Sequence, residues 1–154
     1  MPRKFLVVAD DTPEFPTALA FAARRARATG GRVALLRVIS PTHDEHWSGV
    51  REEIERQLRA EAEALLRRFA EEAEARSGAQ PVLLIESGDT QAAIRKAVTD
   101  DPEIKILVLA AGSGGRGPGP LISALLKQGG LASRRLPVTI VPGDLSEAEL
   151  EDLA

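Results

Sequence analysis

Ile104-Lys105-Ile106-Leu107-Val108-Leu109-Ala110-Ala111-Gly112-Ser113-Gly114-Gly115-Arg116-Gly117-Pro118-Gly119 decides the reading of this chain. A short apolar run, rich in Ile, Val and Leu, stops at a cluster of glycines, so residues 106–111 read as a β-strand that empties into a loop. The run lacks polar alternation. Strands of that kind are covered on both faces, as in a parallel sheet between layers of helix. Four more such runs occur at 5–9, 33–39, 82–86 and 138–141. Helix-compatible stretches separate them. Residues 18–27 place Leu19, Ala23 and Ala26 on one face, and about 47–76 carry the stripe Ile54, Leu58, Ala62, Leu65, Leu66, Phe69 and Ala73. A third helix is expected after Gly88-Asp89, with Thr90 as N-cap and Ile94, Ala97 and Val98 facing inward. The fourth is expected from near Pro120 to about Lys127, ended by Gly129-Gly130.

Strands alternating with helices imply right-handed crossovers and an α/β fold: one five-stranded, parallel, doubly wound sheet with helices on both faces. With 154 residues there is length for one such domain, taken as 1–143, and a core that needs no covalent staple. Residues 144–154 form an acidic tail. Ser146-Glu147-Ala148-Glu149 is a capping box for a short helix, expected to pack on a neighbour or to fray. The chain has no Cys, which removes thiol chemistry and fits a reducing cytoplasm. Its charge of −3 argues against a general nucleic-acid or anionic-membrane binder. The apolar run near Met1 spans only 5–9, too little for a membrane span or a signal peptide.

In a doubly wound sheet ligands bind beyond the carboxyl ends of the strands, where strand order reverses. The glycine cluster lies at such an end. Of 13 glycines, five fall between Gly112 and Gly119, and backbone N–H groups freed from side chains can wrap phosphate oxygens, although a plain surface turn would use glycine too. Charge favours the first reading. Between Ile104 and Gly143 there is no Asp or Glu, while Lys105, Arg116, Lys127, Arg134 and Arg135 bring +5 to a chain that is acidic elsewhere. Gly112, Gly114 and Gly117 match the dinucleotide fingerprint in letters. Its context is wrong, because Pro118-Gly119-Pro120 separates it from the helix and no acidic residue follows at the ribose-binding distance. No Gly-Lys-Ser/Thr triplet is present for a Walker loop.

Val7-Val8-Ala9-Asp10-Asp11-Thr12, Leu35-Leu36-Arg37-Val38-Ile39 and Leu107-Val108-Leu109-Ala110-Ala111-Gly112-Ser113 together resemble the universal stress protein family, as does the ending Leu136-Pro137-Val138-Thr139-Ile140-Val141-Pro142. The resemblance implies a cytoplasmic stress-response protein, a homodimer joined through its last strand, and, in one branch of the family, binding of ATP or AMP. Asp10 then matches the acidic residue near the adenosine, with Asp11 beside it and Thr12 at the following hydroxyl position. Val38 matches the residue whose backbone meets the adenine. Gly112, Ser113, Gly115, Arg116, Gly117 and Gly119 would surround the phosphates. Gly129 and Gly130 would form the distal glycine element if about four residues are inserted before it, although Gly130 stands where the family places Ser or Thr; Ser133 is the nearest hydroxyl.

Little in the chain suggests catalysis. His43, Asp44, Glu45 and His46 lack a third histidine or a cysteine for zinc and read as a solvated helix entrance, with Trp47 capping an apolar edge. Asp10 and Asp11 could hold Mg²⁺ accompanying ATP, because magnesium prefers one or two carboxylates plus phosphate oxygens. Ser113 and Ser133 have no paired base, so any ATP hydrolysis would be slow and secondary. Two functions stay open: a nucleotide-responsive regulatory module, and a non-nucleotide interaction protein of the same fold that acts through dimerisation.

Overall fold

The computed structural model describes residues 3–40, 48–112, 119, 121–124 and 134–154. Five strands, β1 (Lys4–Val8), β2 (Arg32–Ile39), β3 (Val82–Ser87), β4 (Ile104–Ala111) and β5 (Val138–Pro142), alternate with α1 (Phe15–Thr29), α2 (Ser48–Ser77) and α3 (Thr90–Asp100), and α4 (Glu147–Leu153) closes the chain. All strand pairs are parallel, in the order β3-β2-β1-β4-β5. The expected doubly wound α/β sheet is therefore present. Residues 121–124 form a helical turn inside the stretch expected to hold the fourth helix; Lys127, Gly129 and Gly130 lie outside the described residues.

Alternation along the strands divides the core in two. On one face Phe5, Val7, Val33, Leu35 and Val108 meet Phe15, Leu19, Ala22, Ala23 and Ala26 of α1 and Leu66 and Ala73 of α2. On the other, Leu6, Val8, Ala34, Leu36, Leu107 and Leu109 meet Ala93, Ile94, Ala97 and Val98 of α3, with Ile122. Ala18, Ala22, Ala23 and Ala26 of α1 keep little side-chain bulk between helix and sheet, and the rings of Phe15 and Phe69 meet edge to face at 4.6 Å to tie α1 to α2. Coverage on both faces holds for the central strands only. Leu83 on β3 and Ile140 on β5 are 41% and 43% exposed, because the helices cover these edge strands only in part.

Two further expectations change. Asp89, not Thr90, is the N-cap of α3: it adopts the extended conformation a cap needs, its carboxylate accepts from the Ala92 amide at 3.0 Å, and Thr90 is already helical. The acidic tail neither frays nor waits for a neighbour. The capping box at Ser146 forms as expected, Leu150 is buried, and Glu147 and Glu151 reach Arg76 of α2 and Arg24 of α1 at 2.8 and 3.2 Å. No helix among the described residues is long and apolar enough to cross a membrane.

Candidate functional site

The sheet order reverses between β1 and β4, so the chain leaves these adjacent strands in opposite directions and opens a crevice above their carboxyl ends. The β1 exit is ordered by its own side chains. Asp10 Oδ1 accepts from the Thr12 amide at 3.1 Å and from the Thr12 hydroxyl at 2.6 Å, an Asx turn closed twice, and no described residue bonds Oδ2. Asp11 receives the forked guanidinium of Arg37, both bonds at 3.2 Å, and Arg37 also donates to the Ala9 carbonyl at 2.9 Å.

Two cavities open there. One, of about 250 Å³, lies between the ends of β1 and β4 and the start of α1; among the described residues Asp10, Thr12, Glu14, Gly112, Gly119 and Leu121 line its mouth. The other, of about 360 Å³, lies between the ends of β1 and β2 and the N-terminus of α3, against Arg37, Val38, Asp89, Thr90 and Gln91. They share walls at Val8, Asp10, Thr12 and Leu121. Each is close to the lower size limit for small-molecule sites, and the two side by side offer separate compartments to the two ends of one ligand.

The backbone of Val38 is placed to take part. Along a parallel strand the amide and carbonyl groups alternate between the two neighbours. The Leu36 carbonyl accepts from Ala9 on the β1 side at 2.7 Å, and the Ile39 carbonyl accepts from Gly88 on the β3 side at 2.9 Å. Val38 therefore turns its N–H and C=O toward β1, two residues beyond the last β1 partner, Val8 opposite Leu36. Those groups face the second cavity, which Val38 lines.

Gly112 and Gly119 both line the first cavity, but only Gly119, at φ 107°, takes a conformation that requires glycine; its carbonyl accepts from Ser123 to start the helical turn. Gly143 closes the crevice behind. Its amide bonds the Ala111 carbonyl at 3.0 Å, its carbonyl accepts from Thr17, and a Cβ there would run into Ala111 and the Glu14 side chain. Ser113, Gly115, Arg116, Gly117, Gly129 and Gly130 lie outside the described residues, as do His43, Asp44, Glu45, His46, Trp47 and Ser133.

The local charge of +5 does not gather at the crevice. Lys105 stands near the start of β4, Arg135 precedes β5, and one nitrogen of Arg134 donates to the carbonyls of Val98, Asp101 and Ile104 at 3.1, 3.1 and 2.6 Å. All three occupy the amino-terminal edge of the sheet. A segment contiguous in sequence spans the full length of a strand, so these three charges stand at the edge opposite the crevice. At the amino-terminal edge Lys4 bonds Asp101 at 2.6 Å, and this hydrogen bond holds the Lys4 ammonium above its usual range. Burial pushes Asp101 up, but the bonds from Lys4 and the Glu103 amide, with the nearby Lys4 and Arg134 charges, outweigh it and leave the carboxyl below its usual range.

Among the described residues the cavity lining instead carries three carboxylates, Asp10, Glu14 and Asp89, and one cation, Arg37. Sequence reasoning did not place Arg37 in the site. The signal was a lone charge inside the otherwise apolar run Leu35-Leu36-Arg37-Val38-Ile39, two residues from the end of its strand.

The family model for the universal stress protein family matches residues 1–124. No curated protein matches the chain. Solved structures with the same fold include the universal stress protein UspA from Lactobacillus plantarum, 18% identical with a TM-score of 0.71 over 90% of this chain and 97% of that one. A universal stress protein in complex with cAMP is 16% identical, with a TM-score of 0.65 over 93% of this chain and 98% of that one. The universal stress protein from Archaeoglobus fulgidus in complex with dAMP is 17% identical, with a TM-score of 0.60 over 90% and 97%.

Proposed function

Because this chain belongs to the universal stress protein family, we propose that it is a regulatory module of the stress response that binds an adenine nucleotide, AMP or ATP, at the carboxyl ends of β1, β2 and β4. The observation that carries the reading is the pair of adjoining cavities with the Asp10 carboxylate on their shared wall. In the compartment beside Val38, the backbone N–H and C=O, which no described residue bonds on the β1 side, offer a donor and an acceptor to the edge of a base, and the second oxygen of Asp10 is an acceptor for ribose hydroxyls. The compartment between β1 and β4 leads to Gly112 and Gly119 and would take the phosphates.

An acidic lining repels phosphate unless cations are added. We assign that part to Arg116 and Lys127, the two remaining basic residues of the glycine segment. Mg²⁺ is the other candidate: Asp10 Oδ2 with phosphate oxygens is a donor set that magnesium accepts. The role proposed is binding, with the hydroxyl of Thr12 donated to Asp10. Two structural neighbours, one in complex with cAMP and one with dAMP, support the ligand class.

Calorimetric titration of the purified protein with adenosine, AMP and ATP, each with and without Mg²⁺, tests the reading; heat of binding with all three is expected, and no heat at millimolar nucleotide removes it. The acidic lining favours one competing reading, an interaction protein of this fold that needs no nucleotide. Both readings include a homodimer through β5, supported by the edge position of that strand and the exposure of Ile140. Sedimentation velocity is expected to show a dimer that Ile140→Glu converts to monomer, whereas a parent protein that stays monomeric at high concentration excludes it.

A further inference from the structure

We propose that Arg37 is a positioning residue for the nucleotide site, holding Asp10 in place by clamping the residues on either side of it. The proposal rests on the binding reading above. Arg37 shares a strand face with Val33 and Leu35, so its side chain leaves β2 on the α1/α2 side and crosses beyond the end of β1. There one nitrogen donates to the Ala9 carbonyl at 2.9 Å and to Asp11 Oδ1 at 3.2 Å, and the other donates to Asp11 Oδ2 at 3.2 Å. Asp10 lies between the two anchored residues. Its own turn to Thr12 fixes Oδ1, which leaves Oδ2 as the oxygen available to a ligand.

A single guanidinium thus holds the residues before and after Asp10 where β1 gives way to the loop. Its geometry matters more than its charge. A planar fork serves a carbonyl and both oxygens of a carboxylate together, and an ammonium cannot reproduce that. The same bonds occupy the cation: with Asp11 across both nitrogens, Arg37 is neutralised where it stands and is not a phosphate ligand. They also engage Asp11, so Asp10 is left as the ligand-facing carboxylate of the pair.

Three predictions separate this from a merely structural ion pair. In the free protein, Arg37→Gln is expected to speed amide hydrogen exchange at Thr12 by about tenfold, the effect of losing one charge-assisted hydrogen bond, while α3 amides keep their protection. Affinities for adenosine and for AMP should then fall by the same factor, about five- to tenfold, and Arg37→Lys should not restore them. Asp11→Asn should weaken both ligands in the same way, and combining it with Arg37→Gln should add little. Unchanged exchange at Thr12 overturns the clamp. A loss confined to AMP, or rescue by Arg37→Lys, overturns positioning in favour of a direct charge contact. If the parent protein binds neither ligand, the nucleotide reading fails, and the exchange measurement still decides whether Arg37 orders the loop.

Discussion

Replacing Asp10 separates its two oxygens. Oδ1 holds the turn through Thr12, at 3.1 Å to the amide and 2.6 Å to the hydroxyl, while Oδ2 is bonded by no described residue and Asp10 lines both cavities. A ligand hydroxyl donating to an ionised carboxylate contributes about 1.5–3 kcal/mol. Asp10→Ala should therefore weaken adenosine, AMP and ATP alike, by about ten- to hundredfold. The fold should tolerate the change, because Thr12 is exposed and water can replace the lost acceptor; unfolding free energy should move by less than about 1 kcal/mol. Asp10→Asn keeps one acceptor oxygen for the turn and tests the ionised oxygen alone. Calorimetry with adenosine and with 2′,3′-dideoxyadenosine identifies the partner. The parent protein should prefer the hydroxylated ligand and Asp10→Ala should bind the two equally. A variant that binds all three ligands within about twofold of the parent, with the parent's preference intact, refutes the assignment. A loss restricted to ATP with Mg²⁺ would move Asp10 from the ribose to the metal.

Three other consequences follow from the framework that holds the site. Arg134→Met strips a shared donor from the carbonyls of Val98, Asp101 and Ile104 at the end of α3, and at about 2–3 kcal/mol the thermal midpoint should fall by about 5–10 °C, read by calorimetric melting, without change in nucleotide affinity. Gly143→Ala forces a methyl group against the Ala111 carbonyl and Glu14, which should cost about 1–3 kcal/mol in urea unfolding and loosen the crevice beside α1. The Lys4–Asp101 pair makes stability depend on pH at both extremes. Asp101 titrates lower in the folded state, so its contribution is complete above its unfolded value of 3.8 and disappears as pH falls through the folded value; Lys4 titrates higher, so its contribution is complete below 10.5 and is lost above the folded value. Asp101→Asn should accordingly lose less stability than the parent between about pH 5 and pH 3, as followed by urea unfolding.

The fold was legible because it depends on periodicity, which a single chain displays. Continuous apolar runs identified β1, β2 and β4, and the stripe from Ile54 to Ala73 identified α2. Errors came where position in the assembly decided the outcome. Leu83 and Ile140 look like their counterparts on central strands, and only the strand order shows that they lie at edges. Thr90 and Asp89 are both good caps, and the backbone conformation chose between them. The basic segment failed as a guide for a geometric reason: Lys105, Arg134 and Arg135 are neighbours of the glycine loop in sequence and stand a strand's length away in space. Arg37 shows the converse. It lies far along the chain from Asp11 yet forks onto it, a contact that sequence spacing cannot reveal.

The placement of the ligand can be measured by following backbone amide shifts while AMP is added to the protein. The account predicts saturable shifts at Asp10, Asp11, Thr12, Val38, Gly88, Thr90, Gln91 and Gly112, with Lys4, Asp101 and Lys105 unmoved. Shifts confined to that opposite edge, or none at millimolar AMP, would contradict it.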